Sequence, residues 1–130
     1  MSKKILIIDD APSVIELMEY WLKQDDYEVM VAQNGMIGFE KAKSENPDLI
    51  ILDIMLPKID GFNICRLLKF DKQYKNIPIV MVTAREQKED KDLGHEVGAD
   101  AYIEKPITQE VLLKTIKKLL KNNIRRNVPE

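Results

Sequence analysis

Short, solidly apolar runs along this chain alternate with longer stretches in which apolar residues return every three or four positions. Ile5-Leu6-Ile7-Ile8, Leu49-Ile50-Ile51-Leu52 and the run from Ile77 to Val82 are apolar throughout rather than alternating. That is the pattern of parallel strands covered on both faces. Tyr27 to Ala32 and Ala101 to Ile103 are weaker strand candidates. Turn residues follow each run: Asp9-Asp10, Asn34-Gly35, Asp53 onward, Thr83-Ala84 and Lys105-Pro106. Between the runs, Val14, Leu17, Met18, Trp21 and Leu22 form an apolar stripe at helical spacing. Met36, Phe39 and Ala42 predict a second helix opened by Asn34-Gly35, and Phe62, Cys65 and Leu68 a third. Leu93 and Val97 predict a short fourth, and Leu112, Ile116, Leu119 and Leu120 a fifth. Thr108 is placed to cap this last helix, with Glu110 in its first turn. The fourth is expected to be the least stably packed: Arg85 to Asp92 holds no apolar residue and Gly94 interrupts it.

Five strands alternating with five helices predict an α/β fold with helices on both faces of a parallel sheet. Right-handed crossovers leave few topologies. One is the flavodoxin-like doubly wound sheet of strand order 2-1-3-4-5, whose ligands bind beyond the carboxyl ends of the strands. The 130 residues fit one domain, taken as 1–122, followed by a polar, aperiodic tail or linker stub over 123–130. Hydrophobic residues make up 45% and charged residues 32%, enough for a core without metal or disulfide. The lone Cys65 excludes an internal disulfide and a cysteine-based zinc cage, and reads as a small buried hydrophobe. A net charge of −2 gives no pull toward nucleic acid or anionic membrane. Lys114, Lys117, Lys118, Lys121, Arg125 and Arg126 lack interleaved aromatics and read as a solvated helix face. Neither a signal peptide nor the roughly 20 apolar residues of a membrane span is present, so a cytoplasmic protein is expected.

The chemistry-bearing residues fall at strand ends. Asp9 and Asp10 follow the first strand, Asp53 the third, Thr83 the fourth and Lys105 the fifth. Each alone has a bland reading, as a helix cap, a turn residue or an exposed charge. Together, at matching ends of four strands, they call for a shared site. Three adjacent carboxylates repel, which raises at least one pKa or calls for a cation. Oxygen-only ligands of this kind suit Mg²⁺. A carboxylate nucleophile, a divalent cation, a hydroxyl and an ammonium make a phosphoryl-acceptor site, with Asp53 as the acceptor.

Four segments, in order, carry a more specific likeness: Lys3-Lys4-Ile5-Leu6-Ile7-Ile8-Asp9-Asp10; Asp48 to Pro57 with Asp60-Gly61; Pro78 to Ala84; and Gly98 to Pro106. By these the chain resembles a response-regulator receiver domain over residues 3 to about 120. The resemblance implies that Asp53 takes a phosphoryl group from a partner histidine kinase or phosphotransfer protein. It implies that Asp9, Asp10 and Asp53 hold Mg²⁺, Asp10 most directly, with the backbone carbonyl of Met55. Thr83 would follow the phosphoryl group and Lys105 would pair with it. Tyr102 would act as an aromatic switch, where its residue pattern alone suggests an ordinary amphipathic strand position. The Lys105–Pro106 bond would be cis. Phosphorylation would switch the face formed by the fourth helix, fifth strand and fifth helix toward a downstream effector or output domain. Such a domain is a switch that assists its own phosphorylation rather than an enzyme, and neither binds nucleic acid directly nor enters a membrane. The chain stops soon after its fifth helix, so no output domain is expected within it. Two rim positions, Met55 and Arg85, offer no group to orient an attacking water, which predicts slow loss of the phosphoryl group.

Three rivals are weighed against this. A haloacid-dehalogenase-type phosphatase needs a second aspartate two residues after the nucleophile, where Met55 stands. A flavin or nucleotide module needs a phosphate-cradling loop, and no glycine-rich motif occurs. A degenerate receiver acting only as a scaffold would not need all five polar residues. His95, on a polar helix, is read as a surface residue rather than a phosphoryl carrier.

Overall fold

The structure is a computed structural model that describes residues 2–54, 56, 61–83 and 98–126. Five parallel strands, β1 (Lys4–Ile8), β2 (Glu28–Ala32), β3 (Leu49–Asp53), β4 (Ile79–Thr83) and β5 (Ala101–Glu104), form one sheet of order β2-β1-β3-β4-β5. Four helices are described: α1 (Pro12–Gln24), α2 (Gly35–Glu45), α3 (Gly61–Lys69) and the C-terminal helix, here α4 (Gln109–Arg126). The pattern around Leu93 and Val97, with His95, lies outside the described residues.

Alternate residues of the central strands feed two separate cores, which is why their sequences are apolar without interruption. Leu6, Ile8, Ile50 and Leu52 pack with Ala42, Ile64, Cys65 and Leu68 of α2 and α3. Ile5, Ile7, Leu49 and Ile51 pack with Met18 and Leu22 of α1 and Leu112 and Ile116 of α4. Cys65 is fully buried, and desolvation pushes its thiol up to about 12, as expected of a core residue rather than a reactive one. Among the described residues no helix is long and apolar enough to cross a membrane.

Helix starts follow local chemistry. Pro12 opens α1 after Ala11, which offers no side-chain cap. Asn34 Oδ1 accepts the Ile37 N–H at 2.9 Å, and Thr108 Oγ1 accepts the Val111 N–H at 3.3 Å. Two expectations need correction. Met36 and Leu17 are exposed, while Gly35, Gly38 and Ala42 form the buried side of α2. Gly38 sits so close to Ile8 that a Cβ there would meet the Ile8 side chain at 2.6 Å. The last helix is described to Arg126. Lys117, from the basic face, pairs with Asp25 at 3.3 Å.

Two lysines act on the backbone. Lys69 Nζ, at the end of α3, pairs with Asp100 Oδ2 at 2.6 Å and donates to the carbonyls of Ile77 at 2.8 Å and Lys75 at 3.1 Å. Asp100 Oδ2 also accepts the Ile79 N–H at 2.8 Å, so this nearly buried pair ties the 70–78 connection and the start of β5 to α3. On outer strand β2, Glu28 N–H and Ala32 O bond toward β1, so Val31 between them faces the open side. Lys41 Nζ donates to the Val31 carbonyl there at 2.8 Å.

Candidate functional site

The carboxyl ends of β1, β3 and β5 meet at one edge of the sheet, on either side of the point where strand order reverses. Register does this: Ile8 pairs with Leu52 across β1 and β3, so Asp9 and Asp53 leave the sheet side by side. Carboxylate oxygens of Asp9, Asp10 and Asp53 lie within 4.8 Å of one another. Asp9 and Asp53 are buried, at 1% and 4% exposure, and Asp10 is exposed. Lys105 Nζ stands 3.6 Å from Asp53 Oδ2. Four of the five strand-end residues are therefore brought together.

Thr83 is the last residue of β4, in register with Glu104 of β5; its side chain lies outside the described part of the structure. Met55 and Arg85 also lie outside the described residues. Tyr102 is partly buried against the core beneath α2 and α3. The Lys105–Pro106 peptide is cis, as the resemblance implies.

Asp9 Oδ1 accepts the Ala11 N–H at 2.9 Å, whereas its Oδ2 is buried without a hydrogen-bond partner. Burial pushes the Asp9 carboxyl above its ordinary value of 3.8. The Ala11 hydrogen bond and Lys105 act in the opposite direction, and the charge of Asp10 adds a smaller upward push. Desolvation, more than repulsion between carboxylates, is thus what strains this aspartate. An orphaned buried oxygen beside two more carboxylates is a donor set suited to a hard divalent cation such as Mg²⁺.

Asp9→Asn is accordingly expected to stabilise the metal-free protein by about 1 kcal/mol, since it removes a buried charge that the Ala11 hydrogen bond and Lys105 only partly offset, and its amide can donate to the neighbouring carboxylates. The sign with pH follows from the raised pKa. Where the unfolded chain is already ionised, the folded protein still holds a proton, so metal-free stability rises as pH falls from above the raised value toward 3.8. Urea melts across that range check it: in Asp9→Asn this part of the slope should vanish, and an unchanged slope would show that Asp9 is not its source.

The family model described as response regulator receiver domain matches residues 5–117. The chain is 42% identical over 123 residues to the alkaline phosphatase synthesis transcriptional regulatory protein PhoP of Bacillus subtilis (strain 168), covering 95% of this chain and 50% of that one. It is also 42% identical over 122 residues to the DNA-binding dual master transcriptional regulator RpaA of Synechocystis sp., covering 94% and 51%. The chain thus spans about half the length of these curated relatives. Among solved structures, a response regulator receiver domain protein (CheY-like) from Methanospirillum hungatei JF-1 superposes with a TM-score of 0.91 at 30% identity, covering 98% of this chain and 100% of that one.

Proposed function

Because this chain belongs to the response regulator receiver domain family, we propose that it is a phosphorylation switch whose acceptor is Asp53. The observation that carries the reading is the setting of Asp53: buried, clustered with Asp9 and Asp10, and paired with Lys105 at 3.6 Å. A carboxylate oxygen of Asp53 attacks the phosphorus of a phosphohistidine on a partner kinase or phosphotransfer protein. The new O–P bond forms as the P–N bond breaks, and the imidazole leaves with a proton. Lys105 then neutralises a phosphoryl oxygen, and the Thr83 hydroxyl donates a hydrogen bond to another. Asp9, Asp10 and Asp53, with the backbone carbonyl of Met55 as the family resemblance implies, would hold Mg²⁺. Bound there, the ion offsets the negative charge spread over the transferring oxygens.

The switch is read out through Thr83 and Tyr102 on the face that includes β5 and α4, where a downstream effector or output domain binds. The protein acts in the cytoplasm as a signalling domain. The scaffold-only alternative gains no support from a site in which the acidic cluster and its lysine are assembled. Incubation with acetyl phosphate and Mg²⁺ tests the reading, with intact mass as the readout. One added phosphoryl group is expected. No uptake at saturating donor and metal would sink it.

Metal binding carries its own expectation. Mg²⁺ supplied at about 100 times its dissociation constant should stabilise the fold by about 2.7 kcal/mol through linkage. Asp10→Asn should lose most of that gain. Thermal melts with and without Mg²⁺ measure both effects, and coincident melts for the parent protein would remove the metal site.

A further inference from the structure

The third helix starts against the acceptor residue itself. Gly61, the buried first residue of α3, donates its N–H to the Ile54 carbonyl at 3.0 Å. A Cβ at position 61 would run into the Asp53 carbonyl oxygen. It would also lie 3.0 Å from Ile54 Cα and 3.1 Å from the Asp53 carbonyl carbon. All three are backbone atoms, so no rotamer change can relieve the clash. Nor can β3 simply retreat. Ile54 N–H bonds to Val82 O at 3.1 Å, and Asp53 is in register with Val82, so β4 holds the other side of the same segment.

Gly38 provides the contrast. A Cβ there would meet Cδ1 of Ile8 at 2.6 Å and Cγ1 and Cγ2 at 2.8 Å, all atoms of a side chain that can turn aside. Both glycines let a helix lie close to a strand end. Only at Gly61 is the obstacle the backbone that carries the acceptor.

We infer that Gly61 is a positioning residue for phosphoryl transfer: by lacking a Cβ it lets α3 seat against Asp53 without pushing the acceptor carboxylate out of line. This rests on the reading of Asp53 as the phosphoacceptor. In-line attack tolerates little displacement, and a misplacement on the order of 1 Å can cost about 10²-fold in rate. The effect belongs to the transfer step, so it persists when donor and metal are saturating.

The experiment compares the parent, Gly61→Ala and Gly38→Ala, each with acetyl phosphate at saturating concentration and saturating Mg²⁺. Phosphoprotein is followed by intact mass, and rates are expressed per folded molecule using the near-ultraviolet circular dichroism of Trp21. A stabilising osmolyte keeps weakened variants folded. Gly38→Ala is expected to melt at lower temperature yet keep the parent rate. Gly61→Ala is expected to be slower by about 10- to 100-fold, with the loss in kcat rather than KM. A Gly61→Ala rate equal to the parent's overturns the inference, and so does a Gly38→Ala rate that falls as far. A Gly61→Ala protein that stays unfolded in osmolyte also overturns it, because the glycine then serves the fold as a whole. A parent that takes up no phosphoryl group instead overturns the acceptor reading itself.

Discussion

Asp53→Asn is expected to take up no phosphoryl group from acetyl phosphate and Mg²⁺, while melting at least as high as the parent protein without metal. The amide keeps the shape of the carboxylate but lacks an anionic oxygen, so the nucleophile is lost with little change in packing. Neither nearby aspartate is placed to replace it. Asp9 follows β1 and has one oxygen held by the Ala11 N–H, and Asp10 is exposed. Stability should not suffer, because the substitution removes one negative charge from a cluster of three, and the partly exposed ion pair with Lys105 is worth little. Intact mass and thermal melts read both halves. Phosphorylation of the variant would remove Asp53 from the mechanism. An unfolded variant would show that the residue serves the fold.

A second large effect lies far from the acceptor. Lys69→Met is expected to lose about 3 to 5 kcal/mol, the usual result of removing one member of a buried ion pair. Methionine fills the space of the lysine stem, but Asp100 then keeps a nearly buried charge without its cation, and the carbonyls of Lys75 and Ile77 lose a donor. Against a typical total of about 5 to 15 kcal/mol, such a loss should be plain in a urea melt. Replacing both partners, Lys69→Met with Asp100→Asn, should recover part of it, because no charge is left unpaired. A single-variant loss below about 1 kcal/mol would place the pair with ordinary surface bridges.

The central strands were legible because burial on both faces leaves no polar residue to interrupt Ile5 to Ile8 or Leu49 to Leu52. The strand-end acids were legible for a related reason: a charge directly after such a run has to leave the sheet at its edge. Other features left a weaker trace. Asp9 and Asp10 look alike in sequence, yet backbone direction buries the first and exposes the second. The contact side of α2 was misread through Met36, since Gly35 and Gly38 carry no hydrophobic signal although they permit the closest approach. Gly61 stood out only as part of a family motif, because a missing Cβ has meaning only once the neighbouring backbone is placed. The Lys69–Asp100 pair joins residues 31 apart in sequence, and a lysine ending a helix ordinarily reads as a solvated cation.

The lysine across Val31 bears on how copies of this protein meet one another. β2 is an outer strand, and an outward-facing carbonyl on such a strand is an invitation for another chain to add a sixth. At Val31 the invitation is withdrawn by Lys41. An incoming strand would have to break a charge-assisted hydrogen bond, worth about 1.5 to 3 kcal/mol, and would bring its own backbone against an ammonium group. A single side chain from the neighbouring helix thus makes this point on the edge a poor place for another strand to pair.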